Sequence, residues 1–385
     1  MRRAVRVALL AARVAAGVSA VGHIAGALGR RPPIAAVDPA VGSAGESISV
    51  VIPARDEAAR IEPLLVAVVG APGVVEVLVV DDESTDTTEA VAAMAGARVV
   101  AGRPLPAGWV GKAWALDQGL REATGEWIVA LDADTRPASD LPAAIVARAR
   151  VDGLDLLTVA GRFECPTAPL RWLQPALLTT LVYRTGPPGA RRPGPTWRRM
   201  GNGQCFTVRR DVLLGVGGLG AVAHHTVEDV ALVRTMATAG FAVGFLDAAD
   251  LLTVRMFESA ADARRGWGRS LALPGVDAGW RRVTGVAVVG LAQALPLLRL
   301  AARRADVLDG LLLLVRAGTL IGTARAFERR GLPYWLSPTA DVVAVVTLAC
   351  GALNRHTRWR GRTYRLGDVG PPSRSAGRRT TSAPR

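Results

Sequence analysis

Cysteine is scarce in this 385-residue chain: Cys165, Cys205 and Cys350 stand far apart and form no C-x-x-C pair. That pattern excludes a disulfide framework and a cysteine zinc site, and it fits a reducing compartment for the main domain. Lysine is scarcer still. Lys112 is the only one, and every other basic residue among the 47 is arginine. Where arginine is the default cation, a lone lysine marks a position that needs a compact ammonium charge. The chain also lacks the glycine–lysine spacing of a P-loop, so it carries no ATPase signature. Nor does any recognition motif or aromatic–basic interleaving accompany the net charge of +14, and nucleic acid is not an expected partner.

What the chain has in quantity is apolar residues, 50% of the total, and arginine toward its end. Arg355, Arg358, Arg360, Arg362, Arg365, Arg374, Arg378, Arg379 and Arg385 face a single acid there, Asp368. Positive charge beside apolar segments suits anionic lipid headgroups. Residues 1–29 read as an N-terminal membrane anchor or interfacial helix. Arg2 and Arg3 resemble the n-region of a signal peptide and Val18-Ser19-Ala20 its cleavage site, but Arg13 interrupts the apolar run. Residues 30–46 read as a linker. Residues 276–354 read as membrane-associated helices, with Val283–Leu300 the best span, since crossing takes about 20 apolar residues. Val307–Ala324 carries Asp309 and Arg316, and Trp335–Leu353 carries Asp341, which makes both weaker spans. Residues 355–385 read as a basic, disordered tail.

Between these flanks, residues 47–275 alternate strands with helices, the pattern of βαβ units and a mainly parallel sheet. Strands are expected at Ile48–Ala54, Val75–Asp82, Arg98–Ala101 and Trp127–Asp132, and again at 155–160, 204–208, 242–247 and 250–256. Helices are expected at Asp56–Gly70, Thr85–Ala95 (capped by Ser84 or Thr85), Lys112–Ala123, 168–184 and 228–240.

Open α/β sheets bind ligands beyond the carboxyl ends of their strands, and four polar clusters fall there. The first strand breaks at Pro53 into Ala54-Arg55-Asp56-Glu57, and the second ends in Asp81-Asp82-Glu83-Ser84. Carboxylates at such an edge accept hydrogen bonds from a nucleobase imide or a ribose, and they also serve as ordinary turn acids. Gly111-Lys112 opens a helix, where backbone N–H groups and an ammonium make an anion site. Asp132 and Asp134 are two residues apart, the repeat of a strand, so both can address one point. Two hard oxygen ligands suit Mg²⁺ or Mn²⁺ shared with phosphate oxygens. Further on, Glu228-Asp229 opens a helix, and either carboxylate is a candidate general base for an acceptor hydroxyl. His224 and His225 have no partner spacing for a metal. Gly201-Asn202-Gly203-Gln204 is a tight turn or an acceptor-binding loop.

In order and spacing, Val50–Glu57, Val79–Thr88, Gly111-Lys112, Asp132-Ala133-Asp134 and Glu228-Asp229 resemble the family 2 glycosyltransferases of GT-A fold. Gly108-Trp109-Val110-Gly111-Lys112, the Gly-Asn-Gly-Gln turn and Trp359-Arg360-Gly361-Arg362-Thr363-Tyr364 look like a narrower group, the membrane-bound hopene-associated and carotenoid-acid glycosyltransferases. The resemblance implies a Rossmann-like GT-A domain with an N-terminal anchor helix and C-terminal membrane helices. It implies a nucleotide-sugar donor, most simply a UDP-hexose, and a lipid or isoprenoid acceptor. By position, Pro53, Asp56, Glu57, Asp81, Asp82, Ser84, Lys112 and Asp132 would hold the nucleotide. Asp134, with Asp132, would hold the metal–diphosphate, and Asp229 would deprotonate the acceptor for inverting transfer.

Two departures from the family pattern stand out. Glu83 occupies a place usually taken by Gly or Asn, which would narrow the base pocket. Arg264-Arg265-Gly266-Trp267 replaces the Gln-x-x-Arg-Trp signature of processive synthases, which favours transfer of a single sugar. Trp267 would stack near the acceptor or sit at the membrane interface. The expected place is the plasma membrane, with the catalytic domain facing the cytoplasm. Two alternatives remain open at the level of sequence: a polyprenyl-phosphate sugar transferase, and a membrane scaffold that only binds nucleotide.

Overall fold

A computed structural model describes residues 2–26, 28–36, 47–190, 194–354, 356–359 and 362–365. Its centre is a seven-stranded sheet in the order β3-β2-β1-β4-β8-β6-β9. These strands are β1 (Ile48–Ala54), β2 (Val74–Asp81), β3 (Arg98–Ala101), β4 (Trp127–Leu131), β6 (Leu156–Ala160), β8 (Cys205–Arg209) and β9 (Val243–Asp247). Only β8 runs against its neighbours, pairing antiparallel with both β4 and β6. The mainly parallel sheet expected from the alternating pattern is therefore what forms. The strand expected at 250–256 shortens to β10 (Leu252–Val254) and leaves the main sheet. It lies instead between β5 (Thr135–Pro137) and β7 (Arg162–Phe163) in a small second sheet.

Apolar side chains of the central strands point alternately to two cores, as a two-sided sheet requires. Val50, Ile52, Val79, Val129 and Leu131 meet the helices Glu62–Val68 and Leu141–Val151 on one face. Val51, Val80, Ile128 and Ala130 meet the helices Gly111–Glu122 and Glu228–Thr238 on the other. Gly119 sets how closely the first of these helices approaches. A Cβ there would overlap the Val51 side chain and lie 2.9 Å from Val80 Cγ2. Gly119→Ala is therefore expected to cost about 1–3 kcal/mol in a urea unfolding titration, the usual range for overpacking.

Two helix starts fall later in the chain than the periodicity suggests. The helix expected at Asp56–Gly70 is Glu62–Val68, and the one expected at Thr85–Ala95 is Thr88–Met94. The residues left over are spent on a loop–loop clasp. Asp56 takes a left-handed backbone (φ 53°), which no helix start allows, and its carboxylate accepts the Thr85 N–H at 2.8 Å. Ser84 Oγ accepts the Asp56 N–H at 3.0 Å rather than capping a helix, so neither Ser84 nor Thr85 is an N-cap. Glu83 is also left-handed (φ 57°), which gives a physical reason for Gly or Asn being usual at such a place.

The remaining helices form an apolar bundle with its own core. Ala16 and Ala20 of the helix Arg2–Ala25 pack there with Leu170 and Leu177 of the helix Ala168–Thr185. Leu312 and Leu348 join them from the helices Val307–Gly322 and Asp341–Leu353. The helix Ala168–Thr185 thus belongs both to the sheet domain's stretch of sequence and to the bundle. Among the described residues, Arg3–Ala25 and Gly279–Ala301, 23 residues each, are the two helices long and apolar enough to cross a membrane. The charged residues that weakened the other candidates are paired. Arg13 bonds Asp306 at 2.7 Å and Asp309 at 2.5 Å, while Arg316 meets Asp341 at 2.9 Å. In the stretch expected to be a disordered tail, His356–Trp359 and Arg362–Arg365 pair as antiparallel strands. The rest of that stretch, and residues 37–46 of the expected linker, lie outside the described residues.

Candidate active site

Lys112 stands in the first turn of the helix Gly111–Glu122 and holds two acids together. Its Nζ lies 2.8 Å from Asp132 Oδ1, 3.0 Å from Asp132 Oδ2 and 3.0 Å from Glu228 Oε1. Asp132 follows the last residue of β4, and Glu228 and Asp229 open their own helix. The ammonium therefore ties two helix starts to the end of a central strand. Burial alone would lower the lysine pKa, but Asp132, Glu228 and Asp229 overcome it and hold the group well above its ordinary value. The same burial pushes the carboxyls the other way. Asp132 rises to about 6 through desolvation, against the pull of Lys112 and with a further push from Asp134. Asp229 also rises to about 6, through desolvation and then the neighbouring Glu228 charge.

The loop Gly201–Gln204 presses against Asp229. Gly203 N–H donates to Asp229 Oδ2 at 2.7 Å, and Val230 N–H donates to Oδ1 at 2.8 Å. A Cβ on Gly203 would lie 3.0 Å from Lys112 Nζ and 3.2 Å from Asp229 Cβ, so a side chain there would crowd both. Sequence reading left this loop open between a simple turn and an acceptor loop; the contacts make it the floor that orients Asp229.

This cluster lines one end of a cavity of about 1400 Å³. Lys112, Asp132, Asp134, Glu228 and Asp229 all face it. Asp81, Asp82 and Ser84 are not among its lining residues; they lie at the carboxyl end of β2, next to β1 on the same edge. Pro53 is on β1 past Val51, where pairing with β4 ends, so its missing N–H takes nothing from that ladder. Asp56 and Ser84 are engaged in the clasp, and Glu57 pairs with Arg60 at 2.7 Å. Arg55, a residue the motif reading passed over, donates to the Asp82 backbone carbonyl at 2.6 Å and fixes that loop. Asp81 differs from these. Its Oδ1 is buried with no hydrogen-bond partner, an acceptor left open at the edge.

Among the described residues no group of three or more His, Cys, Asp or Glu is placed to hold a metal. Asp132 and Asp134 make a pair, which fits an ion that takes its remaining ligands from diphosphate oxygens and water. His224 and His225 stack on each other with ring centroids 4.1 Å apart. Burial, then the neighbouring His224, lowers His225 to about 4, so a charge switch near neutral pH is not built there.

Parts of this chain are similar to known proteins. Residues 49–215 match the model of glycosyl transferase family 2. The match falls within the sheet domain. An uncharacterized glycosyltransferase of Mycobacterium tuberculosis is 37% identical over 141 residues, 36% of this chain and 58% of the relative. The chain thus spans little more than half the length of that curated relative. A 4,4'-diaponeurosporenoate glycosyltransferase of Staphylococcus aureus is 40% identical over 90 residues, 23% of this chain and 24% of its own. A mannosyltransferase of Pyrobaculum calidifontis, solved with GDP-Man and Mn²⁺, is 19% identical. It superposes with a TM-score of 0.54 over 90% of this chain and 99% of its own. At that identity the likeness concerns fold, and the fold of the sheet domain is GT-A.

Proposed function

We propose that this protein is a family 2 glycosyltransferase that moves a single sugar from a nucleoside-diphosphate sugar to a lipophilic acceptor at a membrane. The observation that carries the reading is one cavity with two chemistries. Its sheet end holds Lys112, Asp132, Asp134 and Asp229, while Leu178, Leu181 and Val346 of the apolar bundle line another part. Pockets for one small ligand usually measure about 300–1,000 Å³. A cavity of about 1400 Å³ has room for a donor and part of a second molecule. Support for the donor class and a lipophilic acceptor comes also from the similar proteins above, one solved with GDP-Man and Mn²⁺ and one named for a carotenoid acid.

In this reading Asp81 and Asp82 hold the base or ribose, with Pro53, Asp56, Glu57 and Ser84 shaping the shelf on which it rests. Asp132 and Asp134 are the residues that would hold a divalent ion. When bound, such an ion neutralises charge on the departing diphosphate. Lys112 adds a fixed ammonium to the same leaving group, a preorganised charge of the kind that dominates such chemistry. Asp229, oriented by Gly203 N–H, takes the proton of the acceptor hydroxyl, and in-line attack then inverts the anomeric centre. A carboxylate can act as base only when ionised, so kcat/KM is expected to rise with pH and level off above about 6, the raised Asp229 value. An acid limb near the ordinary carboxylate range would sink that assignment.

A second reading has a specific observation behind it. Arg264, Arg265, Arg269 and Arg325 also line the cavity, which favours an acceptor with an anionic head such as a phosphate or carboxylate. Such a head is already a nucleophile and needs no base. Mass spectrometry of lipid extracts from cells with and without the protein decides both matters. A glycosylated lipid present only with the protein supports the proposal and gives the acceptor's head group; unchanged extracts across several added donors count against it.

A further inference from the structure

Within that reading of a lipophilic acceptor, we infer that the acceptor's apolar tail leaves the cavity across the last turns of the helix Asp341–Leu353, past Val346 and Cys350. The cavity wall shows why. Val346, Cys350 and Asn354 follow one another at four-residue spacing, so they form one stripe along the helix and its end. Val346 and Cys350 face the cavity yet are exposed, so this stripe is a rim and not a closed wall. Thr347 and Gly351, one position further round, also line the cavity but are buried. A Cβ on Gly351 would strike the carbonyl oxygen of Gly268, so the helix Ala260–Ser270 seals that side.

The facing wall is apolar as well. Leu178 and Leu181 stand three residues apart on the helix Ala168–Thr185 and are half-buried against the same space. The passage is continuous with the end that holds Lys112 and Asp229, so a head group placed at Asp229 puts its tail along these residues. Apolar side chains are exposed at this rim and just beyond it. Val346 is 53% exposed and Leu353, one turn beyond Cys350 on the same helix, is 80% exposed. A tail emerging there passes into lipid and not into water. The occupant is therefore an extended hydrocarbon tail, and the passage is a binding site separate from the donor shelf.

Cys165 and Cys205 are buried, so Cys350 is the exposed thiol of the chain and the natural place to block the passage. The full-length protein is expressed with Cys350→Trp and, as a control, with Met94→Trp, at an exposed apolar residue that does not line the cavity, and glycosylated lipid is measured in extracts. Binding of UDP and GDP, each with Mn²⁺, is titrated on the purified proteins. Met94→Trp is expected to match the wild type. Cys350→Trp is expected to lower the glycolipid at least tenfold while nucleotide affinity stays within twofold. Should Cys350→Trp fail to accumulate, alkylation of the folded wild type with N-phenylmaleimide tests the same passage. Full glycolipid from the blocked protein overturns the inference and leaves the proposed function standing, as does a tenfold loss of nucleotide affinity. Absence of glycolipid from the wild type overturns the proposed function itself.

Discussion

Asp229→Asn is expected to lower sugar transfer to a hydroxyl acceptor at least a hundredfold, with nucleotide affinity changed only a few-fold. The amide keeps an oxygen for the Gly203 N–H that now holds Oδ2 at 2.7 Å, so the loop keeps its anchor, and only the Val230 N–H bond to Oδ1 is given up. What disappears is the ability to take a proton, a contribution of about 10²–10⁴ in rate for a positioned base. The raised value of Asp229 serves that role, since a base near neutrality combines ionisation with proton affinity. It also carries a cost with a definite sign. A carboxyl that binds its proton more tightly in the folded chain than in the unfolded one favours folding at low pH. That contribution is lost as pH rises through about 6. The Asn variant should therefore be at least as stable as the wild type at pH 7, and urea titration checks this. Full activity of Asp229→Asn would transfer support to the anionic-head acceptor, which needs no base.

Most of what positions this site was legible because it repeats with the period of a strand or helix. Apolar runs ending in acids located β1, β2 and β4 within a residue, and the lone lysine pointed to the middle of the cluster. What was not legible is long-range. Glu228 reads as an acid at a helix start, a placement that is favourable anywhere. Only the fold brings it 3.0 Å from Lys112, which leaves Asp229 as the freer carboxylate. Asp56 and Ser84 read as ligand groups, yet their hydrogen bonds close a clasp between two loops that sequence places 28 residues apart. The bundle was harder still. Arg13 reads as a flaw in an apolar helix until Asp306 and Asp309, nearly 300 positions later, are seen beside it.

Lys112→Met is the substitution expected to act on both stability and binding. It removes the one cation among Asp132, Glu228 and Asp229 and leaves three carboxylates facing one another. Breaking a fully buried pair by deleting one partner costs about 3–5 kcal/mol. The expected loss at pH 7 is a fraction of that, because Asp132 keeps 26% of its side chain exposed to the cavity. Without the ammonium, Asp132 and Asp229 rise further, and a raised carboxyl penalises the folded chain only where it must ionise. The destabilisation should therefore shrink as pH is lowered through 6, the reverse of ordinary acid denaturation. Nucleotide affinity should fall at least tenfold at neutral pH, since a diphosphate would meet net negative charge in place of an ammonium. Adding Glu228→Gln separates the two effects. The double variant regains stability, because one repelling carboxylate is gone, but it regains little affinity for UDP or GDP. Recovery of both together would mean that Lys112 serves only to hold Glu228 in place. Recovery of stability alone is the result expected if its ammonium faces the diphosphate.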